Sequence, residues 1–233
     1  MTWLLLGALG ATQVAYPLVH DRAPLVVATV LLGFTATVGH AGRRHAGRLV
    51  AVTTLGGLLV EVVGVHTGVP FGRYHYSGAL GPRLLGVPLV VPLAWTWMAW
   101  PAWLASGVLA RRPAARIGLA GLGLAAWDLF LDPQMVAEGY WHWDHPHPAL
   151  PGVPGVPLTN YLGWLVVATL MMAALPRDAP RDEAPMRVLY LWTYGSSVLA
   201  HAAFLHLPGS AAWGALGMGL VAVPLAVRWC SGS

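Results

Sequence analysis

The stretch from Glu61 to Trp95, EVVGVHTGVPFGRYHYSGALGPRLLGVPLVVPLAW, decides how the chain is organised, because a second version of it runs from Asp128 to Trp164. The second version reads DLFLDPQMVAEGYWHWDHPHPALPGVPGVPLTNYLGW. In each, an acid stands eleven residues before a glycine, and an aromatic-His-aromatic triplet follows. Each then closes with GVPL and a tryptophan nine residues after the glycine of GVPL. This shared order predicts an internal duplication.

The composition is that of an integral membrane protein. Of the 233 residues, 57% are hydrophobic and 9% are charged, whereas a soluble domain carries about 25% charged residues. We therefore predict one integral membrane domain over 1–233, an all-α polytopic fold. Its parallel repeat units, each a helix, a connecting lid and a second helix, cover about 47–109 and 114–175.

A transmembrane helix needs roughly 20 mainly apolar residues. About eight stretches qualify. The alternative is seven spans, because the first stretch could be a signal peptide. We count it as a span because it lacks a basic start and leads directly into another span. The predicted spans are about 2–19, 24–40, 47–65, 87–109, 114–132, 157–175, 186–206 and 210–228.

Arginines set the predicted orientation. Ten of the thirteen lie in the connectors after spans two, four and six or at the C-terminal end, and only Arg22, Arg73 and Arg83 lie on the other side. The positive-inside rule then places both termini in the cytoplasm of a multi-pass cell-membrane protein. The two long connectors, 66–86 and 133–156, fall together on the opposite side as lids.

Several classes of protein are excluded or disfavoured by single residue types. Lysine is absent, so no retinal Schiff base can form, and Cys230 is the single cysteine, which excludes an internal disulfide or a CxxC site. The basic balance is explained by topology rather than by a nucleic-acid partner. Helical metal sites need repeated i, i+3 or i, i+4 histidine pairs, whereas the cluster of His142, His145 and His147 lies in a proline-broken loop, so no metal is predicted.

The candidate catalytic residues are three acids within apolar runs, Glu61, Asp128 and Asp132. An acid inside a membrane is costly to insert and is a functional candidate by default. The alternative is that these acids pair with Arg73, Arg83 or His201 and only join helices. For Asp132 a second alternative is a helix stop at Asp-Pro.

Further polar and aromatic residues are predicted to reach the same face. Trp100 and Trp103 are explained by an interfacial aromatic belt, whereas the lid aromatics could stabilise a cation through their ring faces. Asn160 is predicted either to cap a helix, to bond between helices or to act in catalysis. The predicted substrate-binding residues are Arg73, Tyr74, Tyr76, Trp141, Trp143, Asn160 and His201.

The strings GVPFGRYHYSGALGPRLLGVPLVVPLAW and LDPQMVAEGYWHWDHPHPALPGVPGVPLTNYLGW resemble the membrane carotenoid-biosynthesis family over about residues 55–205. The characterised members of that family are carotenoid 1,2-hydratases, including the bisanhydrobacterioruberin hydratases. The second string is also similar to the small membrane lycopene cyclases, but it has Thr159-Asn160 where cyclases tend to have a carboxylate. This difference favours the hydratase.

The resemblance implies that water is added to the terminal C1=C2 bond of an acyclic carotenoid, without a cofactor. The expected partners are that carotenoid, membrane lipid and other enzymes of carotenoid synthesis. An acid would protonate C2 and water would capture the tertiary cation, with Asp128 or Asp132 as donor and Glu61 as its partner. A cyclase using the same cation and a non-enzymatic carotenoid carrier remain the alternatives.

Overall fold

The fold of the chain is a bundle of α-helices. A computed structural model describes residues 1–178 and 182–231, so the predicted inner arginine Arg181 lies outside the described residues. The helices are α1 Thr2–Ala15, α2 Ala23–Leu49, α3 Gly56–Thr67, α4 Val90–Leu109, α5 Pro113–Ala137, α6 Leu158–Ala174, α7 Ala184–Ala203 and α8 Pro208–Ser231.

The second and third predicted spans form one helical rod, Ala23–Thr67, that is broken at Gly42. Gly42 has φ 66° and ψ 176°, a conformation that glycine adopts at little cost because it lacks a Cβ atom. A π-helical segment, Val50–Leu55, joins α2 to α3. Its wide turn brings Thr53 and Thr54 both within hydrogen-bond distance of Thr96 on α4, at 2.7 and 2.5 Å.

Three helical segments of the described chain are long and apolar enough to cross a membrane: Ala23–Thr67, Pro113–Ala137 and Pro208–Ser231. Exposed leucine and valine side chains recur along three helices at near-helical spacing, as expected where a helix faces lipid. They are Leu55, Leu59 and Val63; Leu162, Val166 and Leu170; and Leu216, Leu220, Val223 and Val227. The predicted all-α membrane fold is confirmed, and the number of spans stays a prediction.

Helix α4 forms the centre of the bundle and packs against α2, α5 and α7. Trp100 and Trp103 are fully buried in it, so their assignment to an interfacial belt was wrong. Trp100 Nε1 donates to His40 Nδ1 at 3.1 Å and Trp103 Nε1 donates to the Pro176 carbonyl at 3.0 Å. Their indole N–H groups are satisfied inside the protein, which removes the reason for seeking the headgroup region.

The arginine-bearing connectors meet at one end of the bundle. Arg48 donates to the Ala174 carbonyl at 2.7 Å, and Arg116 donates to the Arg177 carbonyl at 3.0 Å while its guanidinium lies over the Trp103 ring. Arginines at these positions satisfy carbonyl groups that helix ends leave unpaired. The prediction that both termini are cytoplasmic stays a prediction.

The two lids meet at the other end, as the sequence predicted. Strands β1 Tyr74–Tyr76 and β4 Trp141–Trp143 pair antiparallel, with His75 opposite His142. The hairpins β2 Arg83–Leu84 with β3 Val87–Pro88, and β5 Ala149–Leu150 with β6 Val153–Pro157, complete the lids. Equivalent triplets thus pair with each other about an approximate two-fold axis, while the duplication itself stays a prediction.

A pair of cysteines placed at His75 and His142 is expected to form a disulfide. Opposed residues of an antiparallel pair have Cα atoms about 4.5–5.5 Å apart, within the range of about 4.4–6.8 Å that a disulfide spans. In a Cys230→Ser background, His75→Cys/His142→Cys should lose both thiols on mild oxidation, measured by thiol titration. The pair His75→Cys/His145→Cys, which is not in register, is the control. Equal oxidation of the two pairs would contradict the pairing.

Candidate active site

A cavity with a volume of about 50 Å³ lies beneath the lids, between α2, α3, α4, α5 and α6, and is partly open to the outside. Two acids, Glu61 and Asp132, line it together with Asn160. The remaining wall is apolar and aromatic, and its aromatic members are Phe71, Tyr74, Tyr76, Trp95, Trp141, Trp143 and Trp164. This is a concave apolar site with a few convergent polar groups, the usual form of a small-molecule site.

Glu61 is held by three hydrogen-bond donors. Its Oε2 accepts from the hydroxyls of Tyr74 at 2.6 Å and Tyr76 at 2.7 Å, and its Oε1 accepts from Trp95 Nε1 at 3.0 Å. Burial is the main cause that raises the pKa of both tyrosines well above the usual value, and the charge of the adjacent Glu61 is the second cause. The two hydroxyls therefore keep their protons and remain donors to the carboxyl.

Two glycines on α3 make room for these donors. A Cβ atom at Gly57 would lie 2.8 Å from the Trp95 ring, and one at Gly64 would lie 2.7 Å from the Tyr74 hydroxyl. Glycines at helical spacing often mark the close approach of a neighbouring helix in a membrane protein. The close neighbours are instead the side chains that bond to Glu61, one from α4 and one from the first lid.

Asp128 and Asp132 lie one turn apart on α5 and share one amide. Asn160 Nδ2 on α6 donates to Asp128 Oδ2 at 2.7 Å and to Asp132 Oδ2 at 2.5 Å. Asp132 Oδ1 accepts from Trp141 Nε1 at 3.1 Å, while Asp128 Oδ1 is buried without a hydrogen-bond partner among the described residues. Helix α5 continues to Ala137 through Pro133, so the Asp-Pro dipeptide does not end it.

The aromatic wall follows the predicted repeat. Trp95 and Trp164, the closing tryptophans of the two copies, stack with ring centroids 3.8 Å apart and planes 11° apart. Trp143 of the second lid donates from Nε1 to the Phe71 carbonyl of the first lid at 2.9 Å, which fastens the lids together. Sequence reasoning did not place Trp95, Trp164 or Phe71 in the site, although the repeat itself marked both tryptophans.

The polar groups are not distributed evenly between the two copies. Asp132 and Asn160 occupy positions where the first copy has Val65 and Val91. The first half of the site therefore has the single acid Glu61, and the second half has an acid pair with its own amide donor. The two halves can take different chemical roles.

The other predicted site residues lie elsewhere. The Arg73 side chain is exposed and does not line the cavity. His201 is buried, but it bonds to Ser210 Oγ at 2.8 Å and to Gln134 Oε1 at 3.1 Å rather than to an acid. None of the ion pairs found in residues 1–178 and 182–231 involves Glu61, Asp128 or Asp132, so the acids do not serve as partners of arginine.

Metal binding has no support in the described part of the chain. No group of three or more histidine, cysteine, aspartate or glutamate side chains there is arranged to hold a metal ion. His75 and His142 lie next to each other on the outside of the lids, with ring centroids 5.6 Å apart and ring planes tilted by 43°, and His75 contacts Asp144.

Comparison with known proteins identifies the family. A family model described as carotenoid biosynthesis protein matches residues 21–226, which covers most of the chain. The chain belongs to this family. It is therefore a membrane protein of carotenoid biosynthesis, as the resemblance in its repeated motifs predicted.

A curated relative is bisanhydrobacterioruberin hydratase from Haloarcula japonica. It is 36% identical over 149 residues, which cover 62% of this chain and 48% of the relative. The chain thus spans about half the length of that relative. No solved structure shows significant similarity to the chain.

Replacing Asn160 by leucine is expected to destabilise the fold by about 2 kcal/mol, because two buried acids lose their shared donor. The measurement is thermal unfolding in detergent. In an Asp128→Asn background, Asn160→Leu should lower the stability by less, because the Asn160 amide then donates to only one acid. Equal losses in the two backgrounds would show that Asn160 does not act through Asp128.

Proposed function

We propose that this protein is a carotenoid hydratase that adds water across the terminal C1=C2 bond of an acyclic carotenoid end group. The observation that carries the proposal is one apolar, aromatic cavity in which Glu61, held by three donors, is combined with the Asp128–Asp132 pair. The reaction needs a proton donor, a place for a cation and a base for water. The cavity offers an acid, aromatic ring faces and a carboxylate for these needs.

Asp132 is the proposed proton donor. Asp132 lines the cavity, whereas Asp128 does not. The Asn160 amide donates to both acids. Two adjacent acids can hold one proton between them, so Asp128 can resupply Asp132. The Trp141 N–H on Asp132 Oδ1 fixes the carboxyl orientation. Proton transfer to C2 forms a C–H bond from the π electrons and leaves a tertiary cation at C1.

The cation at C1 is stabilised by ring faces and by negative charge. Stacked Trp95 and Trp164 and the lid aromatics surround the cavity, and an aromatic face attracts a nearby cation by about 2 kcal/mol or more when the contact is desolvated. Glu61 is the proposed counter-charge, because three hydrogen-bond donors converge on its carboxyl group and stabilise negative charge there.

Glu61 is also the proposed base for the attacking water. Water adds through its oxygen to C1, its proton passes to Glu61, and the proton returns through solvent to the aspartate pair. The net change is one hydrogen at C2 and one hydroxyl at C1, with no oxidant required. The name of the Haloarcula japonica relative supports this reaction class.

Isosteric neutralisation of the acids is the main test of the proposal. Glu61→Gln and Asp132→Asn are each expected to lower hydration by about 100-fold or more, the usual contribution of a general acid or base. The measurement is chromatography with mass detection on lycopene-producing cells that express each variant. Asp144→Asn is the matched control, because Asp144 is an exposed lid acid that contacts His75.

The product of that experiment separates the alternatives. A product heavier by one water, lost in both acid variants and kept in the control, supports the hydratase. An isomeric product would instead indicate a cyclase. If the wild-type protein converts no acyclic carotenoid, including a C50 precursor, the result would favour the non-enzymatic carrier.

Labelled water gives an independent test of the capture step. In a reaction with H₂¹⁸O the hydroxyl of the product is expected to carry the label, because water is the nucleophile. Mass detection of the isolated product measures it. A hydroxylated product without the label would contradict capture of the cation by water.

A further inference from the structure

The acid cavity adjoins a second compartment. Four apolar side chains, Val26, Val30, Leu131 and Met135, line both spaces and form the boundary between them. The second compartment extends towards α1 and α7 and contains more polar groups than the first. Those groups are Gln13, Tyr16, Thr29, Gln134, Ser196 and Ser197.

The second compartment in turn adjoins a groove on the outside of the protein. Gln13, Ser196 and Ala200 line both the compartment and this groove, which lies between α1 and α7. The groove walls carry exposed apolar side chains, among them Leu18 and Leu199 at 72% and 60% exposure. Surfaces of this kind contact lipid in a membrane protein.

Two buried polar atoms that line the second compartment, the Tyr16 hydroxyl oxygen and Trp97 Nε1, have no hydrogen-bond partner among the described residues. Trp97 is 3% exposed and lines the compartment, and its Nε1 has no hydrogen-bond partner among the described residues. A buried N–H group without a partner costs about 1–3 kcal/mol, so such groups in native proteins usually serve a ligand or water. A hydrocarbon polyene has no lone-pair acceptor for this N–H group and can meet it only with the π electrons of its double bonds.

We propose that groove and compartment form a lateral route through which an acyclic polyene reaches the acids from the membrane. The inference rests on the proposed function. A carotenoid end group is a small part of a long rigid polyene, so most of the chain must lie outside the acid cavity while the end reacts. The route from the α1–α7 groove past Trp97 holds that remainder and leads its end to Asp132.

The route also includes a part of the protein outside the family match. The matched residues begin at 21, whereas the groove is lined by Val14, Pro17 and Leu18 and the compartment by Gln13 and Tyr16. The acids and lids belong to the matched region. The N-terminal segment therefore lines the route but not the acid cavity.

Cysteine labelling tests occupancy of the route without requiring turnover. Ala200 lies on the boundary between groove and compartment, and Ala203 lies one turn further along α7, exposed and outside the described cavities. In a Cys230→Ser background, Ala200→Cys and Ala203→Cys proteins are labelled with N-ethylmaleimide in detergent, with and without lycopene. At about ten times its Kd, lycopene is expected to slow labelling of the Ala200→Cys protein roughly tenfold. Labelling of the Ala203→Cys protein should not change.

Turnover of bulkier variants provides the second arm. Ala200→Phe is expected to lower the rate of lycopene conversion at least about tenfold, because the larger side chain blocks the route. Ala203→Phe is expected to keep the wild-type rate. Equal labelling of the Ala200→Cys protein with and without lycopene would overturn the route. Hydration of lycopene by that same protein would show that the proposed function survives. Protection in an Asp132→Asn protein that converts nothing would support the route independently of the chemistry.

Discussion

Three acids buried in apolar helices are the constraint on which the rest of this structure depends. Placing one charged side chain in the hydrocarbon costs about 2.5–3.5 kcal/mol on insertion scales. The protein offsets this cost with donors that are themselves buried: the tyrosines and Trp95 for Glu61, and Asn160 and Trp141 for the aspartates. Because these donors come from the lids and from neighbouring helices, the lids must fold over the acids and the helices must approach closely.

The pairing of the lids explains how two similar segments make one site. β1 and β4 pair antiparallel, so that each triplet places its aromatics over the same cavity. The symmetry is incomplete at the reacting groups, because Asp132 and Asn160 replace the valines of the first half. A symmetric site would present two similar acids, whereas this one presents a single hydrogen-bonded carboxyl and an acid pair. Acid–base catalysis needs such a difference.

The proposed hydration requires water and a carotenoid, which do not mix, to meet at one site. Water is available beyond the lids, and a carotenoid is available only from the lipid. The cavity lies between these sources, with the lids on one side and the groove between α1 and α7 on the other. Val30 and Met135 line both the acid cavity and the adjoining compartment, so apolar side chains surround the place where the two spaces meet.

Several features followed from the sequence alone because they depend on local chemistry. Apolar runs with few charges predicted helices in a membrane, and the repeated order of residues predicted that the two lids belong together. Sequence spacing also placed Asp128 and Asp132 on one helix face. The partners of the acids could not be predicted in this way. Arg73 and His201 were chosen by charge and proximity in the chain, but the tertiary structure leaves Arg73 exposed and gives His201 to Ser210 and Gln134. Only the folded helices and lids decide which donors reach a buried acid, since a hydrogen bond depends on distances of a few tenths of an ångström that no sequence spacing specifies.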